Sequence, residues 1–545
     1  MPPVSTARLR AFLVRRWPPL VATASVLAYA VAILGFGLDY RPLQSDEGVT
    51  LGVAAEPSAA DVLRRAIDVR HGPPLHYLLV HFSLLWRDDM LGLRLPSALL
   101  GILAVGLSYP AGRELLGRAG GAIVSLIVAT SPIVIHLGQF ARGYTAMIAA
   151  AFASLWILLV LLRTGRPWLV PAWVVTALLL VAAHPFGLFA LASELAILVV
   201  LGLGPRLRGW RLQRRPLIVF GVSLLLGAAA LLALRHVYAP LQNKYGVGHG
   251  GAVIDLASSG FWDRLGGHVA GTSFTAVQAA LGVAVLAGLV VLARVNPRAA
   301  IVATIWLGLP LVVLSLLTAT SADFAPERHL SFMLPGYAVA LAGLVLEVGR
   351  RLPGRWAVAG VAACALLIVP GAVAGINDLR DFDSSLREAS LELASRFGPH
   401  DVMLTTAGAA SRGEDPRLYE AYAMLAAPDS SPLAVWPRTD QARGCALVDQ
   451  VRKRPSPRRV WFLGRADEPA ELADALRAAG ASVNVFGSFV LASAPLDPPT
   501  TQRALGEGYQ LMTAAARAQR DVPNFRRVAG MYRTARALEH AGDCP

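Results

Sequence analysis

The sequence predicts a polytopic α-helical membrane protein with about eleven transmembrane helices, followed by an extracytoplasmic α/β domain. Of the 545 residues, 55% are hydrophobic and only 16% are charged. A soluble protein cannot bury that much apolar surface. Apolar runs long enough to cross a bilayer recur until about residue 376, and charges and prolines become regular after it. We therefore expect a membrane region at residues 1–376 and a separate domain at residues 377–545.

Each predicted span is an apolar run of roughly 17–25 residues. The runs lie at about 18–37, 92–110, 120–137, 144–162, 167–183, 185–204, 216–234, 273–293, 299–318, 329–347 and 356–375. The first run is too long for a signal peptide and ends without a small-residue cleavage site, so we expect an uncleaved span. The two runs that meet at His184-Pro185 could also form one long broken segment.

The net charge of +14 is explained better by membrane topology than by a nucleic-acid partner. Basic residues concentrate in the N-terminal tail and in alternate short connections between the spans. In those connections they are Arg113, Arg118, Arg163, Arg166, Arg206, Arg208, Arg211, Arg214, Arg215, Arg294, Arg298, Arg350, Arg351 and Arg355. The positive-inside rule places these segments in the cytoplasm. We expect a plasma (inner) membrane protein whose N-terminus is cytoplasmic, and whose first loop, at about 38–91, and C-terminal domain are extracytoplasmic.

The C-terminal region alternates strand-like and helix-like segments, which indicates a small α/β domain of about 120 residues with a helical tail. Strands are predicted at 401–406, 459–464 and 482–491, helices at 388–397 and 468–479, and the tail at 501–545. Cys445 and Cys544 could form a disulfide there, and the sequence leaves this open.

Five short motifs follow one another on the predicted extracytoplasmic side. They are Ser45-Asp46-Glu47, His71-Gly-Pro-Pro-Leu-His-Tyr77, Leu93-Arg-Leu-Pro-Ser97, Ala141-Arg-Gly-Tyr144 and Glu327-Arg-His-Leu330. In this order they resemble motifs of the GT-C superfamily of membrane glycosyltransferases. The likeness is greatest to family 39-type proteins, relatives of protein O-mannosyltransferases and of the aminoarabinose transferase that modifies lipid A. The sequence departs from the family pattern where Gly72 is inserted and where His76 and His329 each replace a tyrosine.

The resemblance implies that a sugar is transferred from a polyprenyl-phosphate donor to a hydroxyl group of the acceptor. A carboxylate must then accept the hydroxyl proton, and Asp46 is the candidate general base. Glu47 would orient the acceptor or a metal ion. The structural alternative is that both acids only stabilise the N-terminus of a helix that starts near Gly48.

The leaving phosphate requires positive charge or hydrogen-bond donors around it. The candidates for this role are Arg142, Tyr144, Arg328, Lys244 and His71, although arginines and tyrosines at helix ends also serve as interfacial anchors. His76, Tyr77 and His184 are candidate substrate-lining residues. No metal-ligand spacing stands out, so we expect either no cofactor or one divalent ion held by Glu47, His71 or His184.

The favoured function is transfer of a mannose-like or other pentosyl or hexosyl unit to an envelope glycan, lipid or protein. The expected partners are the polyprenyl-phosphate-sugar donor, that acceptor and membrane lipid, with no nucleic acid. Two alternatives remain, namely a transporter (flippase) of lipid-linked sugars and a non-catalytic GT-C scaffold. A transporter would be expected to show paired broken helices in corresponding halves of the chain.

Overall fold

The structure is a computed structural model. It describes residues 6–35, 38, 45–69, 73–203, 265, 275–318, 327–351, 373, 385–398, 400–405, 448, 452, 456–465, 469–518 and 539. The chain forms two compact units. The first comprises Met1–Leu38, Val53–Arg87 and Leu91–Arg380, and the second comprises Asp39–Gly52, Asp88–Met90 and Asp381–Pro545. The predicted first loop is therefore divided between the two units.

All regular secondary structure among the described residues of the first unit is helical. Its helices are α1 (Thr6–Gly35), α3 (Ala59–Arg64), α4 (Leu75–Trp86), α5 (Met90–Ala129), α6 (Pro132–Gly138), α7 (Tyr144–Thr164), α8 (Leu169–Ala183), α9 (Gly187–Leu203), α10 (Thr275–Val295), α11 (Pro297–Thr318) and α12 (Leu334–Arg351), with α2 (Ser45–Ala54) crossing the boundary between the units. A π-helical turn at Arg65–Val69 follows α3, and a 3-10 helix at Glu327–Met333 leads into α12.

Five segments within the described ranges are long and apolar enough to cross a membrane. They are Pro18–Gly35, Met90–Ala129, Tyr144–Thr164, Ala276–Val295 and His329–Arg351. Shorter apolar helices occur at Leu75–Trp86, Leu169–Ala183, Gly187–Leu201 and Pro297–Val313. The chain is thus a multi-pass membrane protein. The predicted spans at 216–234 and 356–375 lie outside the described residues, so the number eleven stays a prediction.

The predicted spans at 92–110 and 120–137 are joined through a sharp bend within α5. Gly117 adopts φ 76° and ψ −176°, a backbone conformation that glycine tolerates best. The two arms then pack closely, because a Cβ added to Gly112 would lie 2.9 Å from Val124. The helix that follows the bend ends at Ala129, and α6 begins anew at Pro132 after the extended residue Ser131.

Two hydrogen bonds fix α1 against the segment that leads to the candidate site. The Tyr29 hydroxyl donates to the carbonyl oxygen of Val134 (2.7 Å), and the Gln139 amide donates to that of Ile33 (3.0 Å). Both tyrosine and glutamine are buried. They position the short connection between α6 and α7.

The second unit contains a mixed four-stranded sheet in the order β1-β2-β4-β3. The strands are β1 (Val402–Thr405), β2 (Arg459–Arg465), β3 (Ser482–Phe486) and β4 (Phe489–Pro495), and the helices are α13 (Ser385–Arg396), α14 (Pro469–Ala478) and α15 (Thr501–Ala518). β1 runs parallel to β2, whereas β4 is antiparallel to both β2 and β3. One sheet face packs with α14 and α15 in a single apolar cluster, and α13 packs against β3 and β4.

The predicted strand at 482–491 is wrong as a single element, because the chain forms a hairpin there. Gly487 has a positive φ of 52°, and the two-residue turn at Gly487-Ser488 reverses the chain between β3 and β4. Such a turn pairs the two halves of the apolar run with each other. Of the helical tail predicted at 501–545, the structure describes α15 and the single position Glu539, and Cys445 and Cys544 lie outside the described residues.

Candidate active site

Three polar rings from separate segments meet in the first unit. Tyr144 is the first residue of α7, His184 is the C-cap of α8, and His329 lies in the 3-10 helix. The Tyr144 hydroxyl lies 3.3 Å from Nε2 of His329. The ring centroid of His184 is 4.9 Å from that of Tyr144 and 5.0 Å from that of His329. These residues, here named the Tyr–His cluster, combine the two motifs Ala141–Tyr144 and Glu327–Leu330 with the His184 break.

Phenylalanine rings surround the Tyr–His cluster. Phe140 stacks on Tyr144 at 6.2 Å with an interplanar angle of 7°. The ring centroid of Phe186 lies 5.1 Å from that of His329 and 5.7 Å from that of His184. The ring centroid of Phe332 lies 6.5 Å from that of Phe186. Phe140, Phe186 and Phe332 are all buried. The polar atoms of the cluster therefore lie in apolar surroundings, where hydrogen bonds are strong.

The break between α8 and α9 determines how His184 presents its ring. His184 has an extended backbone (φ −160°, ψ 144°), which ends α8 before Pro185. The backbone N–H of Phe186 donates to Nδ1 of His184 at 3.3 Å. Because Nδ1 is an acceptor, the proton of the neutral ring is on Nε2. In its neutral form His184 therefore presents Nε2–H as a hydrogen-bond donor.

The 3-10 helix that carries His329 is anchored by a buried tryptophan. The indole N–H of Trp306 on α11 donates to the carbonyl oxygen of Phe332 at 2.7 Å. Trp306 has no exposed surface. Its hydrogen bond holds the last turn of the 3-10 helix against α11 and thereby limits the positions that His329 can take.

Close backbone contact at Gly143 brings Tyr144 next to His184. A Cβ at Gly143 would lie 2.3 Å from the carbonyl oxygen of Ala183 and 3.5 Å from Cβ of His76. The first of these atoms is backbone and cannot move without shifting the end of α8. Glycine at this position of the Ala-Arg-Gly-Tyr motif therefore allows the two helix ends to touch.

We expect Gly143→Ala to lower about tenfold or more the rate of the sugar transfer that the sequence motifs imply, because displacement of the Ala183 carbonyl also displaces His184. The measurement is transfer by the purified variant, with Gly308→Ala as the control. A Cβ at Gly308, inside α11, meets nothing within 4 Å. Equal rates in wild type and Gly143→Ala would contradict a site built on this contact.

The Leu93–Ser97 motif is hydrogen-bonded to the segment that carries Arg142. The hydroxyl of Ser97 donates to the carbonyl oxygen of Arg142 at 3.3 Å, and the buried guanidinium of Arg94 donates to that of Leu38, also at 3.3 Å. The half-buried Arg142 is further held by its backbone N–H, which donates to the carbonyl oxygen of Phe140 at 2.6 Å. A role for the motif in positioning Arg142 is not visible in the sequence.

The structure describes only some of the other predicted site residues. His76 and Tyr77 begin α4 and are buried, and Tyr77 packs against Val53, Val62 and Ala66, which favours a core role for it. Glu47 is buried in the first turn of α2, in the second unit. For Asp46 and Arg328 the structure describes the helical backbone but not the side chains, and His71 and Lys244 are outside the described residues.

A metal centre finds no support in the described residues. Among them there is no group of three or more His, Cys, Asp or Glu side chains that could hold an ion. The Tyr–His cluster offers two imidazoles and a phenol but no carboxylate among its described members. The divalent ion at Glu47, His71 or His184 stays a prediction.

Two site features were missed by the sequence reasoning. His329 was recognised only as a departure from the late motif, although its position inside that motif was a signal for a site residue. Phe186 follows the predicted break at His184-Pro185 and gave no signal of its own. Its role depends on contacts between three segments that are distant in sequence.

Comparisons with known proteins show which family and which solved structures this chain is similar to. Residues 70–232 match the family described as dolichyl-phosphate-mannose-protein mannosyltransferase. ArnT from Cupriavidus metallidurans in the apo state is similar in structure, with a TM-score of 0.51 and 14% identity over 90% of this chain and 99% of that one. The structure of the same protein bound to undecaprenyl phosphate has a TM-score of 0.50 and 14% identity, over 88% of this chain and 98% of that one. No curated protein matches in sequence.

The likeness spans nearly the full length of both chains, and at this identity it shows the fold. The family match covers the part of the membrane region that holds Arg142, Tyr144 and His184. These findings and the ordered motifs identify the chain as a multi-pass membrane protein with the fold of the GT-C glycosyltransferases.

Proposed function

We propose that the protein transfers a sugar from a polyprenyl-phosphate donor to a hydroxyl group of a cell-envelope glycan, lipid or protein. The observation that carries the proposal is the Tyr–His cluster, in which two ordered motifs meet at the break between α8 and α9. The family match, and undecaprenyl phosphate in the ArnT structure of the same fold, support a lipid-linked donor. The sugar is proposed to be mannose or an arabinose-like pentose.

The reaction forms a bond between the acceptor oxygen and the anomeric carbon and breaks the bond from that carbon to the phosphate oxygen. Asp46 is proposed to take the hydroxyl proton, with Glu47 orienting the acceptor. The electron pair of the broken bond leaves on the polyprenyl phosphate. Hydrogen-bond donors at that oxygen stabilise the charge in the transition state.

The Tyr–His cluster suits the phosphate end of such a donor. The ring of His184 and the Tyr144–His329 pair offer polar groups that can hydrogen-bond a phosphate. Arg142 follows Ala141 in the same loop, and Arg328 precedes His329 in the 3-10 helix. One guanidinium group can donate two hydrogen bonds to phosphate oxygens at once. We therefore propose that these two arginines supply the positive charge that binds the phosphate. Lys244 and His71 are further proposed contacts to the donor phosphate. The rings of Phe140, Phe186 and Phe332 would pack on the sugar or the prenyl chain.

The proposed orientation follows the positive-inside rule, with the N-terminus in the cytoplasm and the site on the outer face of the plasma membrane. A lipid-linked donor on that face removes the need for a nucleotide. The α/β fold of the second unit is proposed to lie outside as well and to bind or position the acceptor.

We expect the purified protein to retain undecaprenyl phosphate in native mass spectrometry, and Arg142→Gln to retain about tenfold less at equal lipid concentration, because one charged phosphate contact is lost. Arg294→Gln is the matched control, since Arg294 is exposed in the last turn of α10 in a predicted cytoplasmic connection. Absence of retention by wild type, or equal retention by wild type and Arg142→Gln, would contradict the proposed donor site.

A further inference from the structure

One acidic side chain is buried among the apolar residues of α9, outside the site described above. Glu194 has no exposed surface. Its Oε2 atom accepts a hydrogen bond from the Ser154 hydroxyl of α7 at 2.6 Å and from the indole N–H of Trp173 of α8 at 2.7 Å. A single carboxyl oxygen therefore links three helices. A buried ionisable residue in a membrane helix calls for a functional explanation.

The surroundings of Glu194 favour the neutral form of its carboxyl group. Both groups that donate to Oε2 are uncharged, and Oε1 has no hydrogen-bond partner within the described part of the chain. Neither carboxyl oxygen of Glu194 is bound by a charged group among the residues that the structure describes. An ionised carboxylate buried without a cation costs far more than a protonated one. The acid proton removes that cost while Oε2 keeps both bonds.

Two of the three helices that Glu194 links carry members of the Tyr–His cluster, and the third follows Phe186, which packs against the cluster. Tyr144 starts α7, His184 ends α8 and Phe186 precedes α9 by one residue. At about 1.5 Å of rise per residue, Ser154 lies about 15 Å along α7 from Tyr144. By the same measure Glu194 lies about 10 Å along α9 from Gly187. The link lies about two to three turns inside the helix ends that hold the site.

We propose that Glu194 is a neutral positioning residue, which fixes α7, α8 and α9 against one another and so holds Tyr144, His184 and Phe186 in contact. The inference rests on the proposed function for its effect on sugar transfer. Glu194 is hydrogen-bonded to Ser154 and Trp173 and not to the Tyr–His cluster, so it would act through the helix ends. Its protonation and its linking role can be tested without transfer.

The test compares Glu194→Gln, Glu194→Ala and the control Ser193→Ala. Glutamine keeps an oxygen acceptor for Ser154 and Trp173 and carries no charge, so it should replace a neutral acid. Alanine removes the link. Ser193 is also buried, but its hydroxyl donates to the carbonyl oxygen of Phe189 in its own helix, so its loss leaves the three helices joined.

The readouts are infrared difference spectra, retention of undecaprenyl phosphate and turnover at saturating donor. The wild-type minus Glu194→Gln spectrum should contain the carbonyl band of a protonated carboxylic acid. Turnover in Glu194→Gln should stay within about threefold of wild type, and turnover and lipid retention in Glu194→Ala should fall about tenfold or more, with Ser193→Ala unchanged.

Carboxylate bands in place of the acid band would overturn the neutral state. Loss of turnover in Glu194→Gln as deep as in Glu194→Ala, or an alanine variant equal to wild type, would overturn the positioning role. If wild type transfers no sugar, the proposed function fails. The inference then stands or falls on the acid band and on lipid retention, in which Glu194→Gln should match wild type and Glu194→Ala should not.

Discussion

Asp46→Asn is expected to lower the rate of sugar transfer by about 10²–10⁴-fold, the range typical for loss of a general base. Asparagine keeps the shape of the side chain and its hydrogen-bonding oxygen but cannot take the acceptor proton. Binding of the donor should change little, because the phosphate is held by other residues. The measurement is transfer from a labelled polyprenyl-phosphate sugar together with donor retention, both on the purified variant.

The matched control is Asp88→Asn. Asp88 is an exposed acid at the other end of the predicted first loop, and the same change there should leave transfer intact. A rate for Asp46→Asn equal to that of wild type would exclude Asp46 as the base. If Glu47→Gln then abolished transfer, the role would move to the neighbouring buried carboxyl. Loss of donor retention in Asp46→Asn would instead indicate a binding role.

His329→Ala is expected to lower the rate of transfer by at least about tenfold, since the ring contacts the Tyr144 side chain in the Tyr–His cluster. Alanine removes the contact with the Tyr144 hydroxyl and the packing on His184 and Phe186. His329→Tyr should retain much more activity than alanine, because the family motif that the sequence resembles has tyrosine there.

A double-mutant cycle with Tyr144→Phe separates the hydrogen bond from packing. The two changes should be less than additive, with a coupling of about 0.6 kcal/mol, as is typical for hydrogen bonds between membrane helices. His400→Ala, in the second unit, is the control for replacement of a histidine. Strict additivity, or full activity in His329→Ala, would show that the Tyr144–His329 contact has no part in transfer.

The membrane region was predictable where a local pattern determines the structure. Tyr144–Thr164 and Ala276–Val295 lie where apolar runs predicted spans, because hydropathy over one bilayer thickness is a local property. The break at His184-Pro185 was visible for the same reason. The bend at Gly117 was not, since a glycine between two apolar runs does not reveal how tightly the arms will pack.

The contacts of the site were less predictable than its motifs. The resemblance selected Arg142 and Tyr144, but no local pattern places Tyr144 against His184 and His329, which are distant in sequence. Glu194 was overlooked as one acid within an apolar run, and only the helix packing reveals its two donors. The hairpin at Gly487 was missed although Gly487-Ser488 interrupts the apolar stretch, and such a pair between two strand-like segments is a hairpin signal.

The most direct test of the account is transfer by the purified wild-type protein in nanodiscs. A panel of radiolabelled polyprenyl-phosphate sugars would be supplied, with a membrane extract as the acceptor. The account predicts that label from at least one donor moves to the extract, that free polyprenyl phosphate is released in equal amount, and that Asp46→Asn does neither. Donor that is bound, or carried across the membrane, without release of polyprenyl phosphate would contradict it and would favour a transporter or a scaffold.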